Sequence, residues 1–215
     1  MALPASDNFT GTDSDPLSGS WTVIMNTFDI QTNRAHGIAV DFNIAKWTAD
    51  TFGDDQKASC IPTDVGDGIR AGICLRLTGT NAATTSGYVI LHDNDGVIRT
   101  WACVNGNFDT PGVIDERTPT AFNGTTDVLS AELTGTSLVY KRNESAIGSP
   151  LTVTNFASGQ AGIVAYANHL DTFTADNIGG APLILTPTGS EVSAQSGTAV
   201  ASLVFSALTG IRLKW

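Results

Sequence analysis

The sequence predicts an all-β protein built as a two-sheet antiparallel sandwich, and three observations carry that expectation. Short runs with apolar residues at alternate positions recur roughly every 8 to 12 residues, the pattern of strands half-buried in a sheet. Reversal signals such as Asn94-Asp95-Gly96 and Thr134-Gly135-Thr136 separate these runs. No stretch carries the apolar spacing of an amphipathic helix. Composition agrees, because 41% hydrophobic residues, 15% charged residues and 22 glycines suit a packed β-rich domain better than a disordered or charge-laced helical chain. With 215 residues, one large sandwich with an appendage fits the length.

In chain order, residues 7–21 read as an entry strand and loop anchored by Phe9, Leu17 and Trp21, and a meander starts at Trp21. Residues 39–47 and 56–61 flank the acidic turn Gly53-Asp54-Asp55. Trp47 and Phe52 beside that turn predict an aromatic plug at one end of the sandwich, with the carboxylates left outside. In residues 69–77, Ile69, Ala71, Ile73, Leu75 and Leu77 alternate with Arg70, Gly72, Cys74 and Arg76, which assigns the first set to the core and the second to the opposite face. Residues 88–93 and 97–104 form a hairpin across Asp95-Gly96. Residues 107–123 read as a long loop containing Pro and Gly. A second hairpin pairs 127–133 with 137–142, and 145–153 continues it. Residues 162–167, 171–173 and an exit strand near Ile178 close the main unit.

Gly179-Gly180-Ala181-Pro182 marks a boundary. Residues 1–180 are therefore expected to form the principal domain, and 181–215 a linker with a short C-terminal β-hairpin arm at 199–206 and 211–215. An isolated two-stranded hairpin is marginal in water, and alternation puts Ile211, Leu213 and Trp215 on one face. These three are the expected contacts to a partner surface, which is either the chain's own sandwich or a neighbouring subunit, a second copy or a neighbour in an assembly.

A net charge of −10 opposes the counterion-release route to nucleic acid. Cys60, Cys74 and Cys103 lie in separate runs without metal-ligand spacing, so reduced structural thiols are expected. No secretory signal peptide is visible at the N-terminus, and the most apolar window, 198–208, is too short to span a bilayer. A soluble protein without membrane insertion is the expectation.

Residues 7–179 resemble the concanavalin A-like lectin and glucanase (laminin-G-like) jelly-roll superfamily. The resemblance rests on the order and spacing of Asp7-Asn8-Phe9, Leu17-Ser18-Gly19-Ser20-Trp21, Ala45-Lys46-Trp47, Phe52-Gly53-Asp54-Asp55-Gln56, Gly72-Ile73-Cys74-Leu75-Arg76, Gly87-Tyr88 and residues 171–177. It implies a jelly-roll sandwich, one sheet often concave, whose concave face or rim loops bind glycans. Such modules occur in microbial surface proteins and bacteriophage structural proteins. The function expected first is thus a non-enzymatic attachment or decoration component of a virion, or of an extracellular surface. A carbohydrate-binding lectin-like module is the alternative, and a glycoside hydrolase a remote one.

Enzymatic members of that superfamily carry acidic residues at alternate positions of one strand. This chain has no such run, and adjacent Asp115 and Glu116 point to opposite faces of a strand. His36, His92 and His169 are scattered, without the spacing of a catalytic triad. The candidate glycan-binding residues are Arg70, Arg76, Tyr88, His92, Arg99 and Trp101, placed by alternation on non-core faces, where aromatic and guanidinium groups suit sugar rings. No cofactor is expected apart from a calcium option. Asp54, Asp55, Asp93 and Asp95, with Asp171 and Asp176, are carboxylates at reversals, which read first as turn formers and second as oxygen ligands.

Overall fold

The computed structural model describes residues 3–63, 70–93, 95–119 and 126–178. The alternating runs become sixteen strands: β1 Ala5–Asp7, β2 Trp21–Met25, β3 Phe28–Gln31, β4 Arg34–Gly37, β5 Asn43–Trp47, β6 Gln56–Thr63, β7 Ala71–Thr78, β8 Ser86–His92, β9 Ile98–Val104, β10 Asn107–Arg117, β11 Leu129–Thr134, β12 Ser137–Arg142, β13 Ser145–Ala146, β14 Leu151–Thr152, β15 Gln160–Ala165 and β16 His169–Asn177. A single 3₁₀ turn, Ala82–Thr84, is the helical element among the described residues.

The strands form two antiparallel sheets. One runs β13-β12-β11-β6-β16-β4-β3, with β1 also on β16 and β14 on β12; the other runs β10-β9-β8-β7-β15-β5-β2. Between them lies the main core, and one end is closed by the expected aromatic plug. Trp47 and Phe52 are buried there, and Trp47 meets Trp21 edge-on at 5.1 Å between ring centres and stacks on Phe173 at 5.9 Å. Both indole N–H groups are satisfied, Trp47 by Asp50 at 2.9 Å and Trp21 by Asp7 at 2.8 Å, as buried indoles require.

Both predicted hairpins are present, β8 with β9 and β11 with β12. Two readings need correction. Residues 107–117 are not loop but the edge strand β10; Pro111, the left-handed Gly112 (φ +82°) and two register shifts against β9 erase its alternation. Residues 171–173 and the exit strand are one strand, β16, interrupted by a register shift between Asp171 and Thr174. A hairpin of β3 and β4 also forms through Thr32 and Asn33, both at positive φ, as a primed two-residue turn needs.

The central strands of the seven-stranded sheet, β7, β8 and β15, are buried on both faces. Ala71, Ile73, Leu75, Tyr88 and Ile90 point into the sandwich, while Cys74, Leu77, Val89, Leu91, Cys103, Ile44 and Val164 build a second apolar cluster on the outward face. Ile69 and the expected arm, including Ile211, Leu213 and Trp215, lie outside the described residues.

Candidate functional site

Alternation assigned six side chains to non-core faces, and the folded chain divides them. Arg76 is buried, because a register shift between Leu75 and Thr78, with Arg76 at φ +53°, breaks the alternation. Its guanidinium donates to the carbonyls of Asp54 (2.8 Å), Phe156 (2.7 Å) and Gly135 (2.8 Å). It ties three loops together inside the domain. Tyr88 faces the core, and its hydroxyl accepts from the Asn155 and Phe156 amides at 2.9 and 3.1 Å. His92 is also buried, and desolvation lowers its pKa. The reading of Arg76, Tyr88 and His92 as surface ligands is corrected on this ground.

Arg70, Arg99 and Trp101 do share the outward face of the seven-stranded sheet. Arg99 donates to Asp93 at 2.6 Å, to Asp95 and to Glu116 at 2.8 Å, and Asp93 also pairs with Arg70 at 3.0 Å. These hydrogen bonds raise the pKa of Arg99 and lower that of Asp95. Arg70 lies over the Tyr166 ring, 4.8 Å from its centre. Asp115 instead holds Arg117, at 2.6 Å, so Asp115 and Glu116 serve different arginines.

Trp101 belongs to an aromatic group that sequence reasoning missed. Phe42 stacks on Phe108 with 4.2 Å between ring centres, meets Trp101 edge-on at 5.3 Å and Tyr166 at 6.1 Å. Phe42, Trp101 and Phe108 pack on the outward apolar cluster and remain partly exposed. Phe42 and Phe108 line a cleft of about 460 Å³ together with Asp41, Asn105, Gly106, Asn107 and Asp109, and Trp101 reaches it through its contact with Phe42.

Two turns build this cleft. On one side, the buried Asn43 side chain bonds to the Ala39, Asp41 and Ala165 carbonyls and to the Thr27 and Ala39 amides. Asn26 donates to the Phe42 carbonyl at 2.7 Å. The loop that presents Asp41 and Phe42 is thereby fixed from beneath. On the other side, Asn105-Gly106 joins β9 to β10 with both residues at positive φ (50° and 75°), the two-residue hairpin turn that favours Asn-Gly. A Cβ on Gly106 would lie 2.1 Å from the Ala82 carbonyl oxygen, so glycine is needed there twice over. Asn107 then accepts from the Asp109 and Thr110 amides at 2.7 and 3.2 Å. The Asn-Gly dipeptide after an apolar run was the available signal for this hairpin. Nothing local marks Phe42 or Tyr166.

Five of the six carboxylates considered for calcium accept hydrogen bonds from neighbouring groups. Asp55 accepts from the Gly135 amide at 2.7 Å, Asp171 from Thr172 at 2.7 Å and Asp176 from Asn177 at 2.8 Å, while Asp93 and Asp95 hold Arg99. The Asp54 side chain is exposed. Among the described residues no group of three or more His, Cys, Asp or Glu converges as a metal site. The three cysteines are unpaired and buried, and desolvation pushes the Cys103 thiol up to about 11. No helix among the described residues is long and apolar enough to cross a membrane.

No protein-family model and no curated protein matches the sequence. Solved structures do match: the carbohydrate-binding module CBM66 from Bacillus subtilis has a TM-score of 0.55 at 16% identity, covering 76% of this chain and 97% of that one. This chain has the concanavalin A-like jelly-roll fold. The same jelly roll is shared by the exoplasmic/lumenal domain of VIP36 in its Ca²⁺-bound form (TM-score 0.55, 9% identity, 83% of this chain and 92% of that one). It is shared too by Crh5 transglycosylase in complex with NAG (TM-score 0.56, 12% identity, 83% and 85%). At such identities the likeness is one of fold, and the jelly roll carries both lectin and enzyme chemistry.

Proposed function

We propose that this protein is a non-enzymatic glycan-binding module whose binding surface is the aromatic cleft on the outward face of the seven-stranded sheet. One observation carries the reading: Phe42, Trp101 and Phe108 are partly exposed beside an approximately 460 Å³ cleft lined with carboxylate and amide side chains. Aromatic rings offer stacking surface to the apolar faces of sugars, and Asp and Asn side chains accept and donate to their hydroxyls. The volume falls in the range of small-molecule sites, about 300–1,000 Å³. Neighbours of this fold that are named for carbohydrate binding, or were solved with mannose oligosaccharides, support the reading.

Binding is favoured over hydrolysis by what the sheet presents. The outward side chains of β7, β8 and β9 include Cys74, Val89, Leu91, Arg99, Trp101 and Cys103, with no pair of carboxylates placed to flank a glycosidic bond. A calcium ion is compatible with the reading, since the VIP36 domain of the same fold was solved in a Ca²⁺-bound form, although Asp93 and Asp95 are engaged by Arg99. An extracellular setting suits the reading. Attachment within a virion through Ile211, Leu213 and Trp215 would rest on residues outside the described set, and no observation favours it over the cleft.

Screening on a glycan array, followed by calorimetry, tests the proposal. Phe42→Ala and Trp101→Ala are each expected to weaken binding of the best glycan at least tenfold while leaving the far-UV spectrum of the β-sandwich intact. Unchanged affinity in both folded variants overturns the site.

A further inference from the structure

The charge of the cleft sets the class of glycan it takes, an inference that rests on the glycan-binding reading. Of its lining side chains among the described residues, Asp41 and Asp109 are carboxylates, both exposed, and none is basic. One oxygen of Asp41 accepts from the Phe42 amide at 2.7 Å, which leaves its other oxygen available to a ligand. Asn107, not Asp109, accepts the turn amides on the opposite wall. Asp109 makes no ion pair among the described residues.

The guanidiniums on this face do not compensate. Arg70 and Arg99 are paired within a network of Asp93, Asp95 and Glu116, three carboxylates to two cations. An anionic sugar entering the cleft would therefore meet two carboxylates without a cation among the described lining residues, and the chain's net charge of −10 adds repulsion at longer range. A neutral sugar meets the reverse situation, because its hydroxyls donate charge-assisted hydrogen bonds to the same carboxylates.

We infer that Asp41 and Asp109 are specificity-determining residues that make the cleft select neutral glycans and reject those carrying carboxylate or sulfate. The test uses matched probes on the full chain: mannotriose, cellotriose and laminaritriose against trimers of mannuronate and glucuronate, by calorimetry at 150 mM and at 20 mM salt. The expected result is at least tenfold tighter binding of a neutral trimer than of its uronate counterpart, with the gap widening at low salt. In the Asp41→Asn/Asp109→Asn variant, the neutral-to-uronate ratio of affinities is expected to fall at least threefold. Asparagine keeps the oxygen that accepts the Phe42 amide, so this variant should fold. Glu144→Gln, on an exposed turn elsewhere, controls for net charge and is expected to leave the ratio unchanged. Uronate binding as tight as neutral binding, or a ratio unmoved in the double variant, overturns the inference alone. Binding to none of the trimers, neutral or anionic, counts against the glycan reading itself and takes this inference with it.

Discussion

The outward faces of the two sheets are built to opposite plans. On the nine-stranded sheet, with Ile61 and Val139 as half-buried exceptions, the outward positions are mostly polar: Lys57 and Ser59 on β6, Glu132 on β11, Lys141 on β12, Thr174 and Asp176 on β16, and Asp29 and His36 at the β3–β4 edge. They pair with one another, as in Ser59 with Thr174 at 2.6 Å and Lys141 with Glu132 at 2.6 Å. The seven-stranded sheet turns Cys74, Val89, Leu91 and Val164 outward instead, fully buried under an aromatic fringe. A polar face needs only water for company. The apolar face of the other sheet is instead covered, and only its fringe of Phe42, Trp101 and Phe108 is partly exposed.

The largest way to break the comparison is truncation on the apolar face. Leu91→Ala is expected to cost ~2–5 kcal/mol in urea unfolding, the range for buried leucines. Ser59→Ala on the other sheet should cost about 1 kcal/mol or less, since its hydroxyl bond is exposed. Similar losses at the two sites would erase the distinction.

An intermediate effect is expected from pH. On the polar face β4 and β16 pair so that His36 stacks on His169 with 4.4 Å between ring centres, Asp29 bonds His36 at 2.8 Å, and Gln31 bonds His169 at 3.2 Å. Burial, then the neighbouring His36 and Arg34, depress the His169 pKa to about 4. Its unfolded value is about 6.5. Because the folded form binds the proton less well, this contribution to stability is complete above about pH 6.5 and declines as pH falls towards 4, by on the order of 2 kcal/mol. Thermal unfolding across that window should show the decline, and His169→Gln should flatten it.

The smallest effect sharpens the comparison from the polar side. Lys141→Ala removes the pair with Glu132, and double-mutant cycles are expected to return ~0–1 kcal/mol. A coupling several times larger would show that this surface does more than face solvent.

How much of the architecture is legible in the sequence follows the same division. Hairpins with local signals are readable, as Asp95-Gly96 joins β8 to β9 and Gly135 joins β11 to β12. The plug of Trp47 and Phe52 is readable because two large aromatics beside an acidic turn have nowhere else to go. The candidate site is only half legible. Trp101, Arg99 and Arg70 are on the surface that alternation assigned them, but in β7 and β8 both faces are apolar and buried, so periodicity cannot say which face carries a site. Phe42 and Tyr166 join the group through the pairing of β15 with β5, a contact far apart in the chain. His36 and His169, scattered in sequence, meet in the same way.

By itself the sequence determined the all-β class, the jelly-roll resemblance, the strong hairpins and the acidic charge, because propensity, alternation and turn chemistry are local. Tertiary structure alone decided which side of each strand is outside and what each arginine does. Side-chain direction in a strand has a period of two, so a single irregularity reverses it. The shift at Arg76 turned an expected sugar contact into a buried clamp on three carbonyls, while Arg99, on a regular strand, stayed at the surface beside Trp101.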